Sequence, residues 1–310
     1  MSSPSKTSFF SPRRVTIIAS STVTQLVRMK VFLFLAPVAL VFVGLNFFDL
    51  PIYQGPDTMV PEQQLRTHKN LCLGTMMFFT SLFAIVSVAL IIPADVEDRT
   101  LYTILCKPVP RLDYLAGKLL GVITVIFIAM LVMDFLLVAT LHHRTSVITS
   151  DFGRYLADLG FGETEVARGQ AELAQHGPTI VLQYGVLAHF FKACILAAVA
   201  LLISTFSTST LFTIAAGIMV WIIGAFQSIA RDGIFNDPSG GEAPGMADKV
   251  LGTFISLVFP DFQLFESVAD ASVRAQEILG DDMLKLGGLT LLYLGIYTVL
   301  SWFVFADKEF

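Results

Sequence analysis

The stretch Asp95 to Lys118 reads DVEDRTLYTILCKPVPRLDYLAGK, a compact island of alternating charge between two long apolar segments. It is too long and too regular in pattern for a simple polar hairpin. Leu101, Ile104, Leu105, Val109, Leu112 and Leu115 recur at helical spacings, which predicts a short amphipathic helix with one apolar face. Pro108 and Pro110 interrupt it and bend the chain before the next apolar segment begins. A short helix lying flat, with its charges toward water, suits the docking of a soluble partner.

Composition places this island in a membrane protein. The chain has 310 residues, 55% of them hydrophobic and only 15% charged, with 27 Phe and a mean hydropathy of +0.72. Soluble domains carry about 25% charged residues. Six stretches are nearly free of charge and long enough to cross about 30 Å of hydrocarbon. They are 31–50, 71–93, 119–141, 186–206, 210–230 and 286–306. The expected fold is an all-α integral membrane protein, a single membrane domain over 1–310 with six transmembrane helices.

An even number of spans puts both termini and the 94–118 island on one side. That set of segments is rich in Lys and Arg at the span ends, including Arg28, Lys30, Lys107, Arg111 and Lys118. The opposite loops, 142–185 and 231–285 among them, carry twice as many acids as bases. The positive-inside rule then makes the termini and the island cytoplasmic and the two long loops extracytoplasmic. The net charge of −5 belongs to those outer loops and points to no nucleic-acid partner.

Ahead of the first span, residues 11–30 alternate Val15, Ile17, Ile18, Val23, Leu26 and Val27 with polar side chains and basic ends, which predicts an interfacial helix. The first 30 residues lack an uninterrupted apolar core with a cleavage site, so no cleaved leader is expected. In the first outer loop a polar helical stretch around Glu163–His176 ends at the breaker Gly177-Pro178. In the second, Val250–Phe259 is too short to span and reads as an interfacial or re-entrant segment. Cys72 and Cys194 lie in apolar stretches and Cys106 in the island, leaving the outer loops without cysteine.

Candidate sites are few. No GxxxxGK[ST] occurs, so the chain has no P-loop to cradle ATP phosphates, and no enzymatic activity is expected of it. His142 and His143 point to different sides of a helix and, even with Asp151, make no metal-ligand set; no metal is expected. Asp134 is the one formal charge deep in an apolar run, and Lys192 lies toward the outer end of the fourth span. They are either an intramembrane pair fastening two helices or polar features of a translocation path. Gly117 and Gly121 permit close helix approach, and Gly217 and Gly224 in the fifth span are compatible with a dimer seam.

The island also resembles the coupling segment of type-2 ABC exporter permeases. That segment carries an acidic cluster, Gly-Thr-Leu, a leucine pair, Pro and Arg, then Tyr-x-x-Gly-Lys opening the next helix. Asp95, Glu97 and Asp98 match the acids, Thr100-Leu101 matches Thr-Leu, and Ile104-Leu105, Pro108, Arg111, Tyr114, Gly117 and Lys118 follow in order. Arg99 stands where the family usually has Gly. Residues up to Gln25-Leu26-Val27-Arg28-Met29-Lys30 are similar to the family's elbow helix, and Asp307-Lys308-Glu309-Phe310 echoes its charged end.

The resemblance implies a permease subunit of an ATP-driven exporter in the cell (inner) membrane, paired with a second permease copy or homologue. ATP and Mg²⁺ would sit on a separate P-loop ATPase subunit. Asp95, Glu97, Asp98 and Arg99 would make polar contacts to that ATPase, and Leu101, Ile104 and Leu105 would fill its groove. Arg111 and Lys118 would anchor the segment at the headgroups. The alternative from another class is a polytopic scaffold or assembly factor that recruits a different soluble protein through 94–118; a membrane enzyme ranks third, for want of paired acids or histidines at the membrane surface. No span shows a substrate-specific array of polar groups.

Overall fold

The computed structural model describes residues 11–30, 37–41, 44, 61–97, 110–207, 209–235, 259–276, 278 and 280–306. Most of the first expected span, the middle of the island, the 250–258 part of the second outer loop's apolar run and the C-terminal 307–310 lie outside them. The described elements are helices: α1 (Pro12–Arg28), α2 (Pro61–Glu97), α3 (Arg111–Asp158), α4 (Glu163–Ala174), α5 (Ile180–Phe206), α6 (Thr210–Phe235), α7 (Gln263–Val273) and α8 (Gly280–Ala306). Among the described residues, five helices are long and apolar enough to cross a membrane: α2 to Pro93, α3, α5, α6 to Gln227 and α8 to Phe305. The chain is an all-α integral membrane protein.

Helix α5 is the centre of the bundle and packs against α2, α3, α6, α7 and α8. Its sequence explains why. From Lys192 to Leu201 every residue is buried, and Ala193, Ala197, Ala198 and Ala200 supply the small side chains that let neighbours approach from several sides. A helix apolar all round has no face to spare for solvent. By contrast α6 turns Leu211, Phe212, Met219 and Phe226 outward, and α8 turns Leu284, Leu291 and Phe303 outward. Those faces suit hydrocarbon.

Helix α3 departs most from its expected bounds. The run 119–141 is its middle, yet the helix continues through 48 residues, about 72 Å at 1.5 Å per residue. A bilayer core accounts for only about 30 Å of that length. The residues after Leu141 that read as a loop stay helical because Leu141, Thr145, Ile148 and Phe152 continue one packed stripe. Gly160, with φ of 85°, then ends the helix. Phe161 N–H reaches back to the Leu156 carbonyl at 3.2 Å across this turn, which suits glycine's freedom at positive φ. Helix α4 folds back on α3, where Gln170 Nε2 donates to the Thr149 carbonyl at 3.3 Å.

Likewise α2 begins ten residues before the apolar run at 71, its polar first turns held by the Glu62–Arg66 pair one turn apart at 2.5 Å. The glycines proposed for a dimer seam are occupied within the chain. A Cβ on Gly217 would lie 2.7 Å from Ile85 of α2, and one on Gly224 2.8 Å from the Pro260 carbonyl. That seam reading is therefore corrected: both positions let α6 sit close to its own neighbours.

Candidate functional site: the braced ends of the island

The central residues of the island, Asp98, Arg99, Thr100, Leu101, Ile104, Leu105 and Pro108, lie outside the described residues, but both of its roots are within them. Asp95, near the end of α2, is 5% exposed and faces inward. Its Oδ2 is 2.6 Å from Lys118 Nζ and accepts a hydrogen bond from the Tyr114 hydroxyl at 2.5 Å. Gln25 of α1 closes the circuit: its Nε2 donates to Asp95 Oδ1 at 3.3 Å while its Oε1 accepts from Lys118 Nζ at 3.0 Å. One carboxylate, one ammonium, one phenol and one amide thus join α1, α2 and α3. Charge-assisted bonds of this kind are the stronger sort, and a satisfied buried network holds its members in one geometry.

A second brace lies beside it. Asp113 is fully buried and accepts from Arg14 Nε at 2.8 Å and from the Ser11 backbone N–H at 3.3 Å. Arg111 Nη1 donates to the Phe305 carbonyl at 2.7 Å, and the guanidinium lies 5.9 Å from the Phe305 ring. Tyr114 stacks on that ring, centroids 6.1 Å apart. The last turn of α8, which lacks basic side chains of its own, receives its cation from α3.

The glycines of α3 make room for this. A Cβ on Gly117 would be 2.7 Å from Ile18 Cβ, and one on Gly121 would be 2.6 Å from Thr22 Cβ and 2.8 Å from the Ala19 carbonyl. The G-x-x-x-G is the seat of α1, whose buried Val15, Ala19, Thr22 and Leu26 face it. Gly121→Leu is expected to lift α1 off, because a backbone carbonyl cannot yield as a flexible side chain does; overpacking of this kind costs about 1–3 kcal/mol. Limited trypsin digestion at Arg28 should accelerate, and unchanged cleavage would contradict this seating.

The anchoring expected of Arg111 and Lys118 thus takes a different form. Arg111 caps α8 and Lys118 is withdrawn into the bundle, because each finds a fixed acceptor inside. Asp95 and Tyr114 belong to the same interior circuit; Glu97 closes α2.

Nor do the two intramembrane charges meet. Asp134 accepts from Gln183 Nε2 at 3.1 Å, whereas Lys192 Nζ pairs with Glu266 Oε1 of α7 at 2.5 Å. Gln183 and Lys192 are nine residues apart on α5, about 13 Å along its axis, so the Asp134–Lys192 pair is out of reach. Glu266 escaped the sequence reading because it sits in a loop segment. Its signal is the spacing Phe262, Phe265, Ala269, Val273, the apolar face of a helix only eleven residues long and its N-cap.

A bundle of long apolar helices with a polar segment braced at both roots is the architecture of a multi-pass membrane protein. A family model described as ABC-2 family transporter protein matches residues 5–310, and the chain belongs to that family. It is a transmembrane permease of an ABC transporter, a partner of an ATP-binding subunit and not itself the ATPase. No curated protein matches the chain.

Proposed function

We propose that this permease is the translocating half of an ATP-driven exporter, coupled to its ATPase through 94–118. The observation that carries the reading is the double brace. Residues on both sides of the island are tied into one polar network that spans α1, α2 and α3, with α8 joined through Arg111. A push on the island would reach four helices at once rather than flex a free loop. Asp95 then serves the brace, and Glu97, Asp98, Arg99 and the Leu101, Ile104, Leu105 face are left for the ATPase. ATP and Mg²⁺ are held by that partner. Two permeases, identical or homologous, line the path, and the density of basic residues at the span ends puts both termini on the cytoplasmic side of the cell (inner) membrane.

The test is capture of the coexpressed P-loop ATPase at equal membrane abundance. Leu105→Asp is expected to release it, by placing a carboxylate in an apolar groove without a partner. Reversal of Glu97 and Asp98 to Lys is expected to do the same, since like charges across an interface cost several kcal/mol. Undiminished recovery with both variants would remove the island as the docking element.

A further inference from the structure

Toward the far end of α2 from the brace, a cavity of about 190 Å³ lies between α2, α5 and α7. Asn70, Met77, His189, Glu266 and Asp270 give its wall most of its chemistry. His189 is 4% exposed, and its Nδ1 has no hydrogen-bond partner among the described residues. That atom is itself sealed from solvent, while the ring lines the chamber. Glu266 is neutralised by Lys192, but Asp270, one turn further along α7, is exposed and lines the same chamber. The chamber therefore keeps a formal negative charge. Its donors do not fit a bare metal: among the described residues no three His, Cys, Asp or Glu side chains are grouped to hold one.

A second hollow adjoins it. An open groove lined by Leu71, Thr75, Phe78 and Phe79 shares Asn70 and Gly74 with the chamber. A Cβ on Gly74 would meet nothing within 4 Å, so the passage between the two is clear at that point. Phe78, in the wall of this groove, is 47% exposed. An acidic chamber with an unmet imidazole opens into an apolar trough.

We infer that chamber and groove form one site for an amphiphile with a protonated amine head and a hydrocarbon tail. The chemistry is shared by single-chain amines and aminophospholipids. As a statement about cargo this rests on the exporter reading; as a binding site it does not. The head is held by Asp270, Asn70 and His189, and the tail lies along Phe78 and Phe79. The ammonium gains a charge-assisted bond at the Asp270 carboxylate, and the tail adds area removed from water.

Trp221 of α6 lies 5.9 Å from the Phe78 ring, so a heavy atom on the tail would report occupancy. In the purified chain, with Trp302→Phe leaving Trp221 as the only indole, 11-bromoundecylammonium should quench fluorescence saturably. Asp270→Asn and Gly74→Leu should each weaken binding about tenfold, the first by removing the charge and the second by filling the passage. Neither residue supports the fold, since Asp270 is exposed and Gly74 faces open space. The uncharged 11-bromoundecanol should bind at least about tenfold more weakly for the same reason. Competition by phosphatidylethanolamine over phosphatidylcholine in nanodiscs would make the lipid the source of the amine, and competition by undecylammonium alone the free amine. Equal quenching by alcohol and ammonium, or full binding by both variants, would overturn the site. Both variants should still capture the ATPase, so failure here leaves the coupling reading standing, and the reverse holds.

Discussion

Asp95→Leu is expected to destabilise the braced end by about 3–5 kcal/mol, the cost of stranding a buried charge. Lys118 is 6% exposed at its side chain and has Asp95 at 2.6 Å. Remove the carboxylate and, among the described residues, the ammonium keeps Gln25 Oε1 at 3.0 Å and the Tyr114 ring at 5.7 Å. The Tyr114 hydroxyl loses its acceptor as well. Asp95→Leu/Lys118→Met should recover most of the loss, because an apolar pair of similar volume pays no desolvation. The thermal midpoint of the purified permease in detergent, read by the monodisperse fraction, measures both effects. A double variant no better than Asp95→Leu would show that the carboxylate acts through Tyr114 and Gln25 and not through Lys118. Transport by the double variant should stay low even where stability returns, since apolar contact does not tie α1 to α2 and α3 through Gln25.

The membrane class and the helical fold were legible because they depend on long-range averages: low charge and apolar stretches of bilayer length. The helical period read in the island falls largely on residues outside the described ones, and only its two roots can be compared. What escaped was direction. A buried Asp95 and a solvent-facing one look alike in sequence, and only the convergence of Gln25, Tyr114 and Lys118 from two other helices distinguishes them. The polar helix α4 was legible at 163–176, but α7 and the extension of α3 escaped for a related reason. The extension of α3 beyond Leu141 has a polar composition, and its narrow stripe of Thr145, Ile148 and Phe152 gains meaning only once α4 folds back on it. The glycines were read by spacing alone. Spacing says that something approaches closely, and the structure says what: α1 at Gly117 and Gly121, and Ile85 of α2 at Gly217.

The two polar centres sit on one rod. Met77, which contacts Lys192, and Asp95 are eighteen residues apart on α2, about 27 Å along its axis. Movement of the braced end relative to α5 would therefore be felt at the pair between α5 and α7. Helix α5 is packed on every side and α7 on a short face only, so α7 is the element with the smaller contact to lose.

That asymmetry sets the expected outcome at the Lys192–Glu266 pair. Lys192 has no exposed side-chain surface, while 28% of the Glu266 side chain remains accessible. Glu266→Ala leaves an ammonium enclosed, with Met77 Sδ at 3.5 Å and the Phe262 ring at 5.4 Å among its described neighbours. A loss of about 3–5 kcal/mol is expected, as for other buried charges deprived of a partner. Lys192→Met instead frees a carboxylate that water reaches, and the thioether occupies the vacated stem volume, so the loss should be about 1–2 kcal/mol smaller. Glu266→Gln should fall between them, because its amide oxygen still accepts from Lys192. Detergent thermal midpoints of the three variants provide the ranking. A Lys192→Met protein less stable than Glu266→Ala would show that the ammonium is the partner with the better access to solvent, and would reverse the placement of α7 against α5.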